Sequence, residues 1–102
     1  MKIAVAATNK NKNSEISPLG GRAPFYLIFN EKGELLDSLS NPFAVGGGGA
    51  GFAVAKMLAD RKIDTVIAGG FGSNMIGALE ERGLKYYEMS GNAQKAVSKA
   101  IS

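Results

Sequence analysis

The chain has 102 residues, of which 45 % are hydrophobic, and 12 basic against 9 acidic side chains give a net charge of +3. This length predicts one domain with a modest core, and the scattered basic residues argue against a nucleic-acid-binding surface. The sequence contains no Cys and no His. Disulfides, the common zinc sites, cysteine nucleophiles and Ser-His-Asp catalysis are therefore excluded.

The N-terminal half of the chain reads as three strands. The apolar run 2–7 predicts a buried strand, and the polar stretch 8–17 predicts a mobile loop. The aromatic and β-branched run 25–30 is the clearest strand signal, and 35–40 predicts a more polar strand at a sheet edge. The two are joined by a hairpin at 31–34, in which Gly33 suits a positive φ.

The C-terminal half alternates helices with strands. Apolar spacing predicts helices at 51–61, 75–82 and 92–101, the second ending at Gly83, with strands at 64–68 and 84–88. The element order is then β-β-β-α-β-α-β-α, which predicts an α/β fold with a five-stranded mixed sheet and flanking helices. We expect a single domain over residues 1–102.

A glycine-rich loop precedes the first predicted helix. Five of the 14 glycines lie at 46–49 and at 51. A helix start exposes backbone N–H groups that have no intrahelical acceptor, and with the helix dipole these groups favour an anion. A plain flexible linker is the alternative interpretation.

The loop does not match the nucleotide-binding motifs well. Phe52 and Ala53 stand where a P-loop requires Lys and Ser or Thr, so nucleotide hydrolysis is excluded. In a second turn, Gly70 and Gly72 fit the start of the dinucleotide fingerprint but Met75 takes the third glycine position. Nucleotide binding stays open as a minor alternative.

The architecture resembles that of ribonuclease H-like nucleases, whose chemistry needs converging carboxylates. The first strand offers only Ala4 and Ala6 at the corresponding positions, so nuclease activity is not expected. If the first and fourth strands are neighbours, both glycine turns open at one edge of the sheet, where α/β proteins bind ligands.

These patterns indicate an anion site with three kinds of donor. Backbone N–H groups come from Gly47, Gly48, Gly49 and Gly51 in the glycine loop. The second helix start adds Ser73 and Asn74, for which plain N-capping is the alternative. Arg22 adds a fixed positive charge, unless it forms a salt bridge or hydrogen bonds to loop carbonyls.

An ordered set of motifs resembles one known family. The motifs are Ser17-Pro18, Gly21 to Tyr26, Asn41-Pro42, Gly47 to Gly51 and Ile67 to Asn74. Together they are similar to the dinitrogenase iron-molybdenum cofactor biosynthesis family, the NifX-like domains, over nearly the whole chain. The resemblance implies a ribonuclease H-like fold without nuclease activity, and binding of an anionic iron-sulfur or iron-molybdenum cluster.

The resemblance completes the predicted site. Its cofactor-binding residues are Arg22, Asn41, Gly47, Gly48, Gly49, Gly51, Gly70, Ser73 and Asn74. Without Cys or His, the chain would hold a cluster through backbone amides and shape instead of protein ligands to the metal. No metal-ligating residue and no catalytic residue is predicted.

The expected function is therefore that of a non-enzymatic binding or carrier protein for an anionic ligand. A small protein-interaction or regulatory module without a cluster is the alternative. Expected partners are the ligand and a protein of cluster assembly, with no nucleic acid and no membrane. We expect a cytoplasmic protein, because no apolar stretch suits a signal peptide or a membrane span. We also expect it to be a monomer or a weak dimer.

Overall fold

The computed structural model describes residues 1–46 and 49–101. Within these residues it contains five strands and three helices in an α/β fold. Their bounds are β1 Lys2–Ala7, β2 Phe25–Asn30, β3 Leu35–Ser40, α1 Ala50–Asp60, β4 Thr65–Ala68, α2 Ser73–Glu81, β5 Lys85–Glu88 and α3 Ala93–Ile101.

The strands form one mixed sheet in the order β3-β2-β1-β4-β5. Strand β2 pairs antiparallel with both β3 and β1, whereas β4 runs parallel to β1 and to β5. The C-terminal ends of β1, β3, β4 and β5 therefore share one edge of the sheet. As predicted, β3 lies at a sheet edge, and Gly33 in the hairpin has φ 80°.

Side chains alternate along β1 between two separate cores. Ala4 and Ala6 face the core beneath α1 and α2, while Ile3 and Val5 face the core beneath α3. All four are fully buried, which explains why β1 reads as a continuous apolar run and not as an alternating one. The sheet is thus covered by two helices on one face and one on the other.

Helix α2 begins two residues earlier than the sequence predicts. Gly72 is its N-cap, with an extended backbone at φ −70° and ψ 156°, and Ser73 is already helical. The interpretation of Ser73 and Asn74 as capping residues is therefore wrong, because no side chain makes a cap hydrogen bond there. The other predicted bounds shift by one residue where they differ, and Gly83 follows α2 with φ 75°.

The stretch after β1 is more ordered than a mobile loop. The buried Ser14 hydroxyl accepts hydrogen bonds from the backbone N–H groups of Thr8 and Asn9, both at 3.1 Å. Isolated bridges tie Ile16 to Ala7 and Glu15 to Asn92. Within the ranges that the structure describes, none of the helices is long and apolar enough to cross a membrane.

Candidate functional site

Three backbone segments surround a cleft of about 530 Å³ at the C-terminal edge of the sheet. They are the turn after Pro18, the start of α1 and the stretch from β4 into α2. The lining residues are Leu19, Gly20, Gly21, Arg22, Gly49, Ala50, Gly51, Gly70, Phe71, Gly72, Ser73, Asn74 and Met75. The pairing of β1 with β4 brings these segments together, as the sequence predicts for neighbouring strands.

Two helix N-termini open into this cleft. The N-caps of α1 and α2 are Gly49 and Gly72, neither helix has a side-chain cap, and neither has an acidic residue in its first turn. The first hydrogen bond into the body of α2 runs from the Ile76 N–H to the Gly72 carbonyl at 3.0 Å. The backbone N–H groups of Ser73 and Asn74 precede it and are the donors that an α-helix leaves without intrahelical acceptors. The cleft therefore combines two positive dipole ends.

Backbone hydrogen bonds join the two walls of the cleft. The Gly20 N–H donates to the Gly70 carbonyl at 2.9 Å, and the Gly69 N–H donates to the Ser17 carbonyl at 2.8 Å. The phenol of the fully buried Tyr26 donates to the Gly20 carbonyl. Burial raises the pKa of this phenol above its ordinary value, so it stays protonated and keeps donating.

Glycine is required where the walls meet most closely. A Cβ at Gly51 would lie 2.8 Å from the Met75 Cβ, and a Cβ at Gly69 would lie 2.7 Å from the Pro18 Cα. Both distances are shorter than any normal van der Waals contact. Gly51 therefore allows the starts of α1 and α2 to approach each other, which is a packing role in addition to the predicted donor role.

Arg22 lies between the cleft and the glycine loop. Its Nη1 donates to the Gly46 carbonyl at 3.1 Å and to the Phe43 carbonyl at 3.4 Å. The side chain thus bonds loop carbonyls, which was one of the two interpretations open for it. Carbonyls do not neutralise a guanidinium, so Arg22 still contributes positive potential to the cleft.

Asn41 holds the base of the glycine loop and does not line the cleft. Its amide nitrogen donates to the carbonyls of Ala23 at 2.9 Å and Gly21 at 3.2 Å, and its side-chain oxygen accepts from the Phe43 N–H at 3.0 Å. The residue is 7 % exposed. Its amide is therefore occupied by the backbone of the protein itself.

The structure brings most of the predicted site residues around one cleft. Those that line it are Arg22, Gly49, Gly51, Gly70, Ser73 and Asn74. Gly47 and Gly48 lie outside the described residues. Lys10 is not part of this lining: its ammonium lies 5.9 Å from the centre of the Phe25 ring, which packs against the core beneath α3.

Sequence reasoning missed the apolar part of the lining. Leu19, Phe71 and Met75 line the cleft together with the donors. The Phe71 ring stands edge-on to Tyr86, with 5.6 Å between ring centroids, and the Tyr86 hydroxyl donates to Glu80 at 2.7 Å. No local pattern signals these contacts, although the turn-rich stretch around Gly20 hints at a close backbone approach.

The donor set of the cleft suits an anion that carries its own ligands. Cys and His are absent from the sequence, and the described residues contain no group of three or more carboxylates placed to hold a metal ion. The described lining offers backbone N–H groups, the Arg22 guanidinium, the Ser73 hydroxyl, the Asn74 amide and the Met75 thioether. Such donors solvate the outside of an anionic cluster but do not replace thiolates at its metals.

A second cavity of about 550 Å³ lies at the start of α3, lined by Met89 to Asn92, Lys95, Ala96 and Lys99. Among the described residues, none of those predicted for the site lines this cavity, and only helix α3 begins there. We therefore take the glycine-lined cleft as the candidate site.

Comparisons with known structures show the same fold elsewhere. The apo form of the orange protein from Desulfovibrio gigas superposes with a TM-score of 0.92 at 23 % identity, covering 98 % of this chain and 86 % of that chain. A Thermotoga protein provisionally named NifB gives a TM-score of 0.81 at 26 % identity, covering 97 % and 85 %. A Methanocaldococcus jannaschii protein provisionally named a dinitrogenase gives 0.69 at 15 % identity, covering 99 % and 88 %.

Sequence comparison gives two further findings. None of the curated proteins matches the chain. A family described as "Dinitrogenase iron-molybdenum cofactor" matches residues 1–102, which is the full length of the sequence. The resemblance predicted from the ordered glycine motifs is therefore confirmed, and the chain belongs to the dinitrogenase iron-molybdenum cofactor family.

Proposed function

We propose that this chain is a non-enzymatic binding or carrier protein for an anionic metallocluster of the iron-sulfur or iron-molybdenum type. The proposal rests on the convergence of two uncapped helix N-termini and Arg22 on one cleft, which none of the carboxylates among the described residues lines. Helix N-termini and guanidinium groups both favour negative charge, and a carboxylate at the same place would oppose it. Membership of the dinitrogenase iron-molybdenum cofactor family supports this class of cargo.

The apolar lining favours a soft cluster over a phosphate. Leu19, Phe71 and Met75 surround the donors, and such side chains pack well against sulfide ligands but leave strongly hydrated oxyanions poorly solvated. Among the described residues that line the cleft, Ser73 is the one with a hydroxyl, and none of the others is a carboxylate or imidazole base. Carriage without chemistry is therefore the function that the cleft supports best, on the ribonuclease H-like fold that the family resemblance implies.

An amide titration tests this proposal. Uniformly ¹⁵N-labelled protein is titrated anaerobically with tetrathiomolybdate, and in parallel with molybdate, a tetrahedral dianion of equal charge but with a harder surface. We expect saturable shifts at the amides of Gly51, Ser73 and Asn74 with tetrathiomolybdate, and at least tenfold weaker binding of molybdate. An unchanged spectrum with both anions would refute the binding function.

A second candidate function is docking to another protein, because apolar side chains are exposed near the cleft. Leu19 is 59 % exposed, Val45 90 % and Phe52 51 %. A Val45→Ser/Phe52→Ser double variant would then lose crosslinking to cluster-assembly proteins while it retains tetrathiomolybdate binding. Equal crosslinking in both proteins would remove this candidate.

A further inference from the structure

Arg22 physically connects the cleft to the segment 43–46. The side chain lines the cleft, and its Nη1 also donates to the carbonyls of Gly46 and Phe43 at 3.1 and 3.4 Å. The Arg22 guanidinium therefore borders the cleft and also binds the segment 43–46.

The segment 43–46 is held at its base by Asn41, and the Phe43 side chain lies beside α1. Within the described chain, the Asn41 side-chain oxygen accepts from the Phe43 N–H at 3.0 Å and the Asn41 carbonyl accepts from the Ala44 N–H at 3.2 Å. Beyond Ala44, Val45 is 90 % exposed. Arg22 is therefore the contact that ties the far part of this segment to the cleft.

An anion in the cleft competes for the same guanidinium. An anion adds the attraction of a full negative charge, and for two acceptor atoms a bidentate geometry, which a neutral carbonyl does not offer to a guanidinium. The carbonyls of Phe43 and Gly46 are neutral acceptors, and the distance to the Phe43 carbonyl is long at 3.4 Å. The balance therefore favours transfer of Arg22 to a bound anion.

We propose that Arg22 is a ligand-operated latch: an anion filling the cleft takes the guanidinium from the carbonyls of Phe43 and Gly46 and so releases the segment 43–46. This inference rests on the proposed anion-binding function and adds its regulation. Release of the segment changes the position of the Val45 side chain. The ligand-bound and ligand-free proteins therefore present different surfaces beside the cleft.

The test uses an Arg22→Gln variant, with Arg82→Gln as the control of equal charge change. Arg82 is an exposed residue at the end of α2, far along the helix from the cleft. In the empty Arg22→Gln protein we expect the amides of residues 43–46 to shift. The hydrogen exchange of the Ala44 amide should become about tenfold faster, as loss of one supporting hydrogen bond implies. Arg82→Gln should leave both unchanged.

The same amides are then followed as wild-type protein is saturated with tetrathiomolybdate. We expect them to move in the direction that Arg22→Gln produces without ligand. Shifts at Ser73 and Asn74 with an unmoved 43–46 segment would overturn the latch and leave the binding function intact. Wild-type amide positions in empty Arg22→Gln would also overturn the latch, and the absence of any saturable shift would overturn both proposals.

Discussion

At the scale of single residues, Gly51 determines how closely the N-termini of α1 and α2 can approach each other. Its Cα lies against the first turn of α2, where an added Cβ would be 2.8 Å from the Met75 Cβ and 3.1 Å from the Met75 backbone nitrogen. Neither atom is the far end of a flexible side chain, so the helices themselves would have to separate. The shape of the cleft therefore depends on a missing methyl group.

The first prediction is that Gly51→Ala lowers the free energy of unfolding by about 1–3 kcal/mol, the usual cost of overpacking a tight contact. Chemical denaturation measures it. The matched control is Gly77→Ala in α2, where an added Cβ meets nothing within 4 Å. We expect this control to stabilise the protein by about 0.5–1 kcal/mol, since alanine is the better helix former. Equal effects of both changes would show that the contact is not tight.

Tyr26 is the second residue on which the cleft depends. Its buried phenol donates to the Gly20 carbonyl. Tyr26→Phe leaves that carbonyl without this donor, which we expect to cost about 1–3 kcal/mol of stability. Tyr87→Phe, at a side chain 45 % exposed, should change stability by less than about 0.5 kcal/mol. A Tyr26→Phe protein as stable as the wild type would contradict the assigned role.

The same phenol predicts a dependence of stability on pH. Burial raises the pKa of Tyr26 above its ordinary value of 10.0, so the folded protein retains a proton that the unfolded chain loses. The stabilisation is fully present below about pH 10 and is lost as the pH rises further, at up to about 1.4 kcal/mol per pH unit. Denaturation of wild type and Tyr26→Phe between pH 8 and 11 measures the difference, which should shrink at the alkaline end. A constant difference would contradict it.

At the scale of elements, the N-terminus of α2 lacks a stabilising side-chain cap, and it lies where the cleft presents backbone N–H donors. Gly72 caps the helix with an extended backbone, and an added Cβ there meets nothing within 4 Å. A side chain is therefore possible at this position. Asp or Ser would cap the helix better, but either would use the amides that the cleft presents.

We therefore predict that Gly72→Asp and Gly72→Ser both stabilise the protein, by about 0.3–1 kcal/mol, with Asp the better because of the helix dipole. Thermal unfolding at neutral pH measures the change. Destabilisation by both residues would show that Gly72 is retained for its backbone and not for an open helix end.

The sequence predicts elements better than it predicts the cleft. The strand 25–30 was predicted with its exact bounds because its aromatic and β-branched residues carry the signal locally. The start of α2 was missed since Ser73 is a good capping residue by type, yet Gly72 holds that position.

Roles that depend on distant contacts could not be read from local pattern. Asn41 was predicted as a ligand residue from its place in a motif, but its amide bonds carbonyls 18 and 20 residues away. The contact of Gly51 with Met75 and the bond from Gly20 to Gly70 likewise join segments far apart in sequence. Contacts between such distant segments can be predicted only when the order of the strands in the sheet is known.

At the scale of the whole molecule, β1 is the shared wall of both cores. Residues 3–7 of this central strand are all fully buried, whereas β5, at one edge of the sheet, is mostly exposed. We predict that native-state hydrogen exchange is slowest at the β1 and β4 amides, near the global unfolding limit, and faster by at least tenfold in β5. Equal protection in β1 and β5 would show that the sheet opens as one unit.

If two open helix ends make this cleft an anion site, a side-chain cap on one of them must weaken anion binding, which calorimetric titration measures. Tetrathiomolybdate is titrated anaerobically into wild type, Gly72→Asp and Gly72→Ser. We expect saturable binding by wild type, at least tenfold weaker binding by Gly72→Ser, and none by the folded Gly72→Asp protein, whose carboxylate occupies the helix end. Equal affinity in all three proteins would contradict it.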